Sequence, residues 1–294
     1  MAQRKVLVPI VLLAGALLLS GLILGAVGAA FLGNDPFVPV PEVHLAPQGI
    51  FNIGGFTVTN TLLSAWLTTV VVLLLFVGGG RKMQMVPGRL QNVLEMLVEA
   101  LYGFIRGVVG DYYARRFFPV LATIFIFVAF NAWMALLPIY PTLGFTEDGA
   151  DHVTTHLLRS AGTDINLPLA LAIISFVFIE AWGFRAHRFG YMKEFIRLGN
   201  PIQMFIGLLE LLSHFIRLIS FTFRLFGNML AGEIILLMVT FLLIFLAPIA
   251  FYMLEILVGG VQALIFLGLT LVFAFMAVAP HEGAEHEETA TEHT

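Results

Sequence analysis

The sequence predicts an all-α polytopic membrane protein, and three observations support that prediction. Of its 294 residues, 59% are hydrophobic and only 12% are charged, which is about half the charge of a soluble chain. The mean hydropathy is +0.95. The apolar residues form runs long enough to cross a bilayer, separated by loops whose charge alternates in sign. Together these features predict about five to six membrane helices and one amphipathic helix at the membrane interface.

Several classes of function are excluded by what the sequence lacks. It has no cysteine, so neither a disulfide framework nor a thiolate metal site is available. It has no GxxxxGK[ST] loop and no long polar domain, so the chain cannot bind and hydrolyse a nucleotide by that route. The formal net charge of -4 says little, because loop charge follows membrane topology. We expect no cofactor, no metal and no nucleic-acid partner, and membrane lipid as the surroundings.

The N-terminal apolar segment, residues 1–32, has two open interpretations. Arg4 and Lys5 precede an apolar run from Val6 to Leu32. The basic start and the small Gly28-Ala29-Ala30 fit a cleaved signal peptide, but the run exceeds the ~7–15 residues of a signal core. Its length favours a retained membrane helix or signal anchor. Residues 33–280 are then the membrane domain, and residues 281–294 an acidic disordered tail.

Loop charges set the topology of the remaining spans, predicted at residues 58–77, 117–137, 169–184, 201–246 and 249–279. Basic residues at 81–82 and 185–197 mark the cytoplasmic side. The loop 140–164 is acidic and has Arg159 as its only Lys or Arg, so we place it outside. His152 and His156 in that loop lack a further ligand at a suitable spacing, so we predict no metal there. Asp164 or Asn166, just before Pro168, is expected to cap the next helix.

The segment Leu90–Val109 differs from the spans. Its apolar residues recur at helical spacing, and charged residues lie between them. The segment is amphipathic and too charged to span, so we place it along the cytoplasmic interface.

The stretch Pro201–Leu246 holds ionisable side chains within an apolar run. Its 46 residues would extend close to 70 Å as a helix, against a bilayer core of ~30 Å. Either it crosses twice with a break near Gly227-Asn228, or it is one strongly tilted helix. On a helical projection its polar residues fall within about 40° of Arg224. They are Glu210, Ser213, Arg217, Ser220 and Asn228. Glu233 lies about 180° round and about 13 Å further along.

Arg224 is the residue that we interpret as functional. An arginine at bilayer depth costs about 2.5–3.5 kcal/mol, and Arg224 has apolar or small neighbours on both sides. Arg217, by contrast, can snorkel to the interface. Arginine does not release its proton, so it acts as a stationary charge that keeps a nearby acid ionised, which makes it a gate. Gly227, Ala231 and Gly232 permit close approach of another helix, and we infer a partner subunit that supplies the acid.

The last apolar segment completes the inventory of intramembrane polar groups. It holds Glu255 and Gln262, which are seven residues apart and share one face. We count two intramembrane carboxylates, Glu233 and Glu255, with amides and hydroxyls at Asn131, Ser220, Asn228 and Gln262. His214 lies about 80° off the polar stripe. Desolvated carboxylates exchange protons near neutral pH, so this set indicates proton movement interrupted by a fixed cation.

The residues around Arg224 resemble a known family. The run Arg224–Glu233, RLFGNMLAGE, resembles the signature of subunit a of rotary F-type ATP synthases. Leu254-Glu255 and the run Gln262–Phe266 resemble its last-helix motif. Further similarity lies at Phe56–Thr61, Val86–Gly88, Asn131 with Leu136–Pro138, and Thr163–Asn166. The resemblance covers roughly residues 40–280.

This resemblance implies a role for each matching position. Arg224 matches the essential arginine that faces the rotating ring of c subunits, and Gln262 matches the glutamine beside it. Glu233 and Glu255 match the outer half-channel pair. Asn228 and Ser220 match polar positions near the arginine, and Glu210 and Ser213 match the cytoplasmic half-path. The resemblance also places Asn131 in the proton pathway. The family further implies a long tilted C-terminal helical hairpin against the ring.

The expected function is that of a non-catalytic, proton-conducting stator subunit, in which two offset half-channels and the arginine gate couple ion flow to ring rotation. The implied partners are the c ring, the b-subunit peripheral stalk and the remainder of the ATP synthase complex. The implied location is a bacterial plasma membrane. The alternatives are a stand-alone ion-coupled secondary transporter, with a helix broken near Gly227, and a membrane scaffold that would tolerate Arg224→Leu.

Two positions depart from the family pattern. Family members with glutamate at the position of Glu233 often have histidine where this chain has Glu255. Two carboxylates titrate as a coupled pair, so a proton is not assigned to either residue alone. The family also commonly has an acid where this chain has Met134.

Overall fold

The computed structural model describes residues 2–33, 37, 40–41, 46–81, 84, 88–145, 155–188 and 201–279. Its helices are α1 (Ala2–Leu24), α2 (Ala26–Leu32), α3 (Asn60–Gly80), α4 (Arg89–Ala135), α5 (Ile139–Thr142), α6 (Asn166–His187), α7 (Pro201–Leu242) and α8 (Leu246–Val278). Two antiparallel strand pairs join β1 (Gly49–Ile53) to β2 (Phe56–Thr59) and β3 (Gly144–Phe145) to β4 (Thr155–His156). A 3₁₀ turn covers Ala161–Thr163. The tail 281–294 lies outside the described residues.

Five helices in the described part of the chain are long and apolar enough to cross a membrane, namely α3, α4, α6, α7 and α8. A sixth span results if α1 and α2, which are bent by 62° at Gly25, count as one. The all-α polytopic prediction is therefore confirmed.

Helix α7 decides between the two alternatives for the long polar-striped segment. It is one helix of 42 residues without a break at Gly227, which corresponds to about 63 Å at 1.5 Å per residue. It ends at Leu242, and the chain turns at Phe245, whose φ is 76°. The predicted boundary was wrong here, because Pro248 lies in the first turn of α8 instead of ending the preceding segment. A first-turn proline is tolerated since its missing N–H has no intrahelical acceptor there.

Helix α4 contains both the predicted amphipathic helix and the predicted span that follows it. Its 47 residues are interrupted at Gly110, where φ is 74° and ψ is 171°. Glycine adopts this conformation without a Cβ penalty. The interruption comes one residue after the predicted end at Val109. Placement of residues 90–109 along the membrane interface stays a prediction.

The start of α3 was misplaced by the sequence analysis. Phe56–Thr59 forms strand β2, not helix, and pairs with β1. The Thr59 side chain accepts a hydrogen bond from the Leu62 N–H at 3.3 Å, which caps the helix at Asn60. A β-strand was missed because Val58 is apolar and continuous with the span. Val58 is 1% exposed.

The chain divides into two compact units. Unit 1 comprises Met1–Met85, Phe125–Pro168 and Phe223–Leu264, and unit 2 comprises Val86–Ile124, Leu169–Thr222 and Ile265–Thr294. In unit 1, the buried Thr61 hydroxyl donates to the Asp164 carboxylate at 2.9 Å. Asp164 also accepts from the Asn166 N–H at 3.0 Å, so it caps α6, as predicted, and ties that cap to α3.

The N-terminal segment packs within unit 1. The Ile244 N–H donates to the Gly21 carbonyl oxygen at 3.3 Å, and any side chain at Gly21 would overlap the backbone of Ile244. Gly25 approaches the Leu242 backbone in the same way. These contacts fit a retained helix, while the alternative of cleavage stays open.

Candidate functional site

A cavity of about 370 Å³ lies in unit 1, and we call it the outer cavity. It has a mixed lining whose ionisable and amide side chains are Gln48, Asn60, Tyr140, His156, Arg159, Glu233, Tyr252 and Glu255. Glu233 comes from α7 and Glu255 from α8, so the structure brings together the two carboxylates predicted from the sequence. A cavity lined by two carboxylates can accept a cation from water and hold it among the helices.

Arg159 is the residue of this cavity that the sequence analysis missed. Its Nε donates to both carboxylate oxygens of Glu233, at 3.0 and 3.3 Å. Its Nη1 donates to the Ala46 carbonyl at 3.2 Å, and its backbone N–H donates to Ser64 Oγ at 3.1 Å. The side chains of Arg159 and Glu233 are 10% and 34% exposed, so the pair is largely shielded from solvent. The available signal was that Arg159 is the single basic residue of an acidic loop.

Glu255 has a different environment. It is half-buried, and its carboxylate lies so close to Gly232 that a Cβ there would overlap it. Among the described residues Glu255 makes no ion pair. One turn later, Gly259 contacts Ala132, and the Trp133 indole N–H donates to the Ile256 carbonyl at 2.9 Å. This packing fixes the segment of α8 from which Glu255 projects.

Tyr140 adds a hydroxyl to the cavity wall. It is 4% exposed and lies in α5, outside the spanning helices. Burial raises the pKa of the Tyr140 hydroxyl above its usual 10.0, so the group stays protonated at physiological pH. It can orient water or a carboxylate without exchanging its own proton.

Asn131 and Gln262 are both buried, with 3% and 5% exposure. Asn131 Oδ1 and Gln262 Nε2 have no hydrogen-bond partner among the described residues. An unsatisfied buried amide atom costs about 1–3 kcal/mol, so such atoms are normally paired with water or a binding partner. This pattern fits a hydrated path through unit 1.

Arg224 lies on the surface of α7. The arginine and Phe223 are exposed, whereas Leu225 and Met229 are buried. Ser220 and Gly227 are exposed on the same helix, and Asn228 is half-buried. Since Glu233 lines the outer cavity, α7 directs its cation outward and its carboxylate inward, as the helical projection predicted.

A second cluster lies in unit 2, and we call Glu180, Glu210 and His214 the inner cluster. His214 Nδ1 is 2.5 Å from Glu180 Oε1, and its Nε2 is 3.7 Å from Glu210 Oε1. Glu210 and Ser213 are exposed on α7, while His214 is buried. The count of two intramembrane carboxylates was therefore wrong, because Glu180 is a third, inside α6. Its signal was a single acidic residue in an otherwise apolar span.

No group of three or more His, Asp or Glu side chains in the described part of the chain is arranged to hold a metal ion. His156 lines the outer cavity, but His152 lies outside the described residues.

The fold and these clusters define a multi-pass helical membrane protein that holds titratable side chains between its helices. Comparison with known proteins identifies the family. The model of the family described as ATP synthase A chain matches residues 62–274, and the chain belongs to that family, the subunit a family of F-type ATP synthases.

Curated relatives agree with this assignment. The ATP synthase subunit a of Gloeobacter violaceus is 35% identical over 260 residues, which cover 86% of this chain and 97% of the relative. The ATP synthase subunit a of Helicobacter pylori strain Shi470 is 32% identical over 241 residues, 80% of this chain and 98% of the relative. That of Helicobacter acinonychis is 31% identical over the same length. The resemblance noted around Arg224 is thus confirmed, and the chain is a multi-pass integral protein of an energy-transducing membrane.

Proposed function

We propose that this chain is the proton-conducting stator subunit of the synthase, with two offset half-channels separated by Arg224. The observation that best supports this is the different environment of two side chains on α7. Arg224 is exposed, whereas Glu233 lines the outer cavity. Arg224 cannot lose its proton, so it blocks direct passage from one half-channel to the other. Protons must then travel on a moving carrier.

The outer cavity is the proposed entry path. Arg159 donates to both oxygens of Glu233, so the negative charge of Glu233 is compensated locally. Glu255 lacks such a partner among the described residues and is the group proposed to exchange protons. The orphaned amide atoms of Asn131 and Gln262 supply further polar sites for ordered water along unit 1.

The proposed carrier is a carboxylate on a ring of c subunits. In unit 1, α7 exposes Phe223 beside Arg224, and α8 exposes Leu257, Val261 and Leu264. Apolar surface of this kind suits a lipid-embedded rotor that slides past without fixed polar contacts. Each proton crossing 100 mV gains about 2.3 kcal/mol, and several are combined by the rotor for each synthesis step. The b-subunit stalk is the proposed stationary support.

The inner half-path is proposed to begin at Glu210 and Ser213. Both are exposed on α7, and Glu210 is 14 residues before Arg224, about 21 Å along the helix. Glu233 is nine residues after Arg224, about 13 Å in the other direction. The two paths therefore start at different heights on α7, as offset half-channels require.

Removal of the guanidinium tests this proposal in the reconstituted complex. Arg224→Ala should abolish coupled ATP synthesis while passive proton leak persists or rises. Arg217→Ala removes a guanidinium from the same helix and is the matched control, which should retain coupling. Full coupled synthesis with Arg224→Ala would refute the gate. Glu233→Gln and Glu255→Gln should each slow proton uptake, and normal flux in both variants would refute the outer half-channel.

The alternative of a stand-alone secondary transporter predicted a helix broken near Gly227. Helix α7 is continuous there. Transport by the purified chain alone would still favour that alternative, and tolerance of Arg224→Leu would favour a scaffold.

A further inference from the structure

The inner cluster links two helices of unit 2 through one imidazole. His214, on α7, has Nδ1 at 2.5 Å from Glu180 Oε1 on α6 and Nε2 at 3.7 Å from Glu210 Oε1 on its own helix. The His214 side chain is 9% exposed, Glu180 is 16% exposed and Glu210 is 53% exposed. The cluster thus runs from an exposed carboxylate, through a buried imidazole, to a shielded carboxylate on another helix.

An imidazole between two carboxylates is suited to moving a proton. It can accept a proton at one ring nitrogen and release another from the second nitrogen, which no other side chain does near neutral pH. The distance between His214 Nδ1 and Glu180 Oε1 is already that of a hydrogen bond. The Glu210 contact is longer, and rotation of that exposed side chain or one water molecule would close it.

We propose that Glu210, His214 and Glu180 form a proton relay that carries protons from the exposed face of α7 to α6. The relay rests on the proposed function and extends its inner half-path beyond Glu210 and Ser213. A proton leaves the carboxyl group of Glu210 and binds His214 Nε2, while the proton on Nδ1 passes to the Glu180 carboxylate. Glu180 then releases its proton to water on the inner side. Transfer of the Nε2 proton to Nδ1 through water then returns His214 to its starting tautomer, and no net charge accumulates.

The side chains around His214 suit its place in the relay. The carboxylates within 4 Å of its ring nitrogens are Glu180 from α6 and Glu210 from its own helix. Arg217 lies over the Phe273 ring of α8, with Cζ 3.9 Å from the ring centroid. Phe176 of α6 contacts the imidazole edge-on, with centroids 6.4 Å apart. The two carboxylates therefore lie beside the two ring nitrogens between which the relay moves a proton.

The rival explanation is that the Glu180–His214 pair only holds α6 against α7. A structural pair would affect assembly and leave the pH dependence of proton flux unchanged. A relay predicts that loss of the His214 imidazole changes the pH dependence of proton flux. It also predicts that replacement of Glu180 by glutamine slows flux, although the amide keeps a hydrogen bond to His214.

The test uses the complete complex reconstituted in liposomes, with proton flux measured as the pH on the inner side is varied. His214→Gln and Glu180→Gln should each slow flux about 10- to 100-fold per assembled complex, within the range for positioned acid–base groups. The pH profile of the flux should change in His214→Gln. The double variant should be no slower than either single variant. Glu99→Gln, an exposed carboxylate on α4, is the matched control and should keep wild-type flux and pH profile.

Chemical rescue separates the two explanations. His214→Gly should regain flux when imidazole is added, because the free base can occupy the vacated space and shuttle protons. The relay is overturned if Glu180→Gln, which keeps a hydrogen bond to His214, assembles with wild-type flux and pH profile. It is also overturned if His214→Gly assembles but does not respond to imidazole. Coupled synthesis in Arg224→Ala would instead refute the proposed function, independently of the relay.

Discussion

Arg159→Gln should slow proton uptake through the outer cavity more than Glu233→Gln. Arg159→Gln leaves Glu233 charged in a largely shielded position without the guanidinium that now contacts both of its oxygens. The unpaired carboxylate then competes with Glu255 for protons, and the two groups titrate as a coupled pair. Proton uptake should slow because each proton is shared between two sites.

The expected size follows from the geometry. Two unit charges about 4 Å apart interact by about 4 kcal/mol at an effective dielectric constant of about 20. Glu233 is 34% exposed, which admits solvent screening. We therefore take about half of that energy, or about 2 kcal/mol, as the coupling between the two side chains. This value corresponds to at most about 30-fold in flux.

A double-mutant cycle measures that coupling. Initial proton uptake by the reconstituted complex is compared for Arg159→Gln, Glu233→Gln and the double variant, each normalised to the amount of assembled complex. The double variant should recover much of the loss, since it removes both charges together. Arg159→Lys keeps the positive charge but lacks the planar guanidinium that contacts both oxygens of Glu233. Its rate of proton uptake should fall between those of the wild type and Arg159→Gln. Strictly additive effects, with coupling below about 0.5 kcal/mol, would refute the reasoning.

Three further predictions concern unit 1, and each is checked by the dissociation temperature of the complex. Thr61→Val removes the buried hydrogen bond to Asp164 and should cost about 1.5–3 kcal/mol. Thr69→Val, whose hydroxyl bonds only within its own helix in the described structure, is the control and should cost far less. Because burial raises the folded-state pKa of Tyr140 above 10.0, stability should be full below about pH 10 and fall as the pH rises further. Tyr140→Phe should remove that fall, and an unchanged alkaline profile would contradict it. Gly21→Val should cost about 1–3 kcal/mol by overpacking, and mass spectrometry of the mature chain should find this residue retained.

The sequence predicted the parts of the site that lie on one helix. The polar stripe of α7 and the opposite position of Glu233 follow from a repeat of about 100° per residue, which α7 obeys without a break. The exposure of Arg224 and the inward position of Glu233 were therefore predictable. The convergence of Glu233 and Glu255 on one cavity came from the family resemblance, since spacing alone does not bring α7 and α8 together.

Pairings between distant segments were not predictable. Arg159 and Glu233 are 74 residues apart, and Glu180 and His214 are 34 apart. Periodicity describes one helix and gives no information about which loop folds back on it. The signals were local anomalies, a lone base in an acidic loop and a lone acid in an apolar span. Such residues are expected to pair with a distant charged or polar side chain, because an uncompensated intramembrane charge is costly.

We propose that Arg159 lets this cavity hold two carboxylates, where the family resemblance led us to expect histidine at the position of Glu255. Two ionised carboxylates in a cavity of about 370 Å³ would repel each other and bind the first proton too tightly to release it. The Arg159 guanidinium contacts Glu233, so the two carboxylates and the guanidinium together carry one net negative charge, which a single proton cancels. The proposed entry path would then exchange one proton at a time, which suits the proposed carrier with a single carboxylate per step. On this argument Glu255→Gln should slow proton uptake more than Glu233→Gln, which slows it by leaving the positive charge of Arg159 uncompensated.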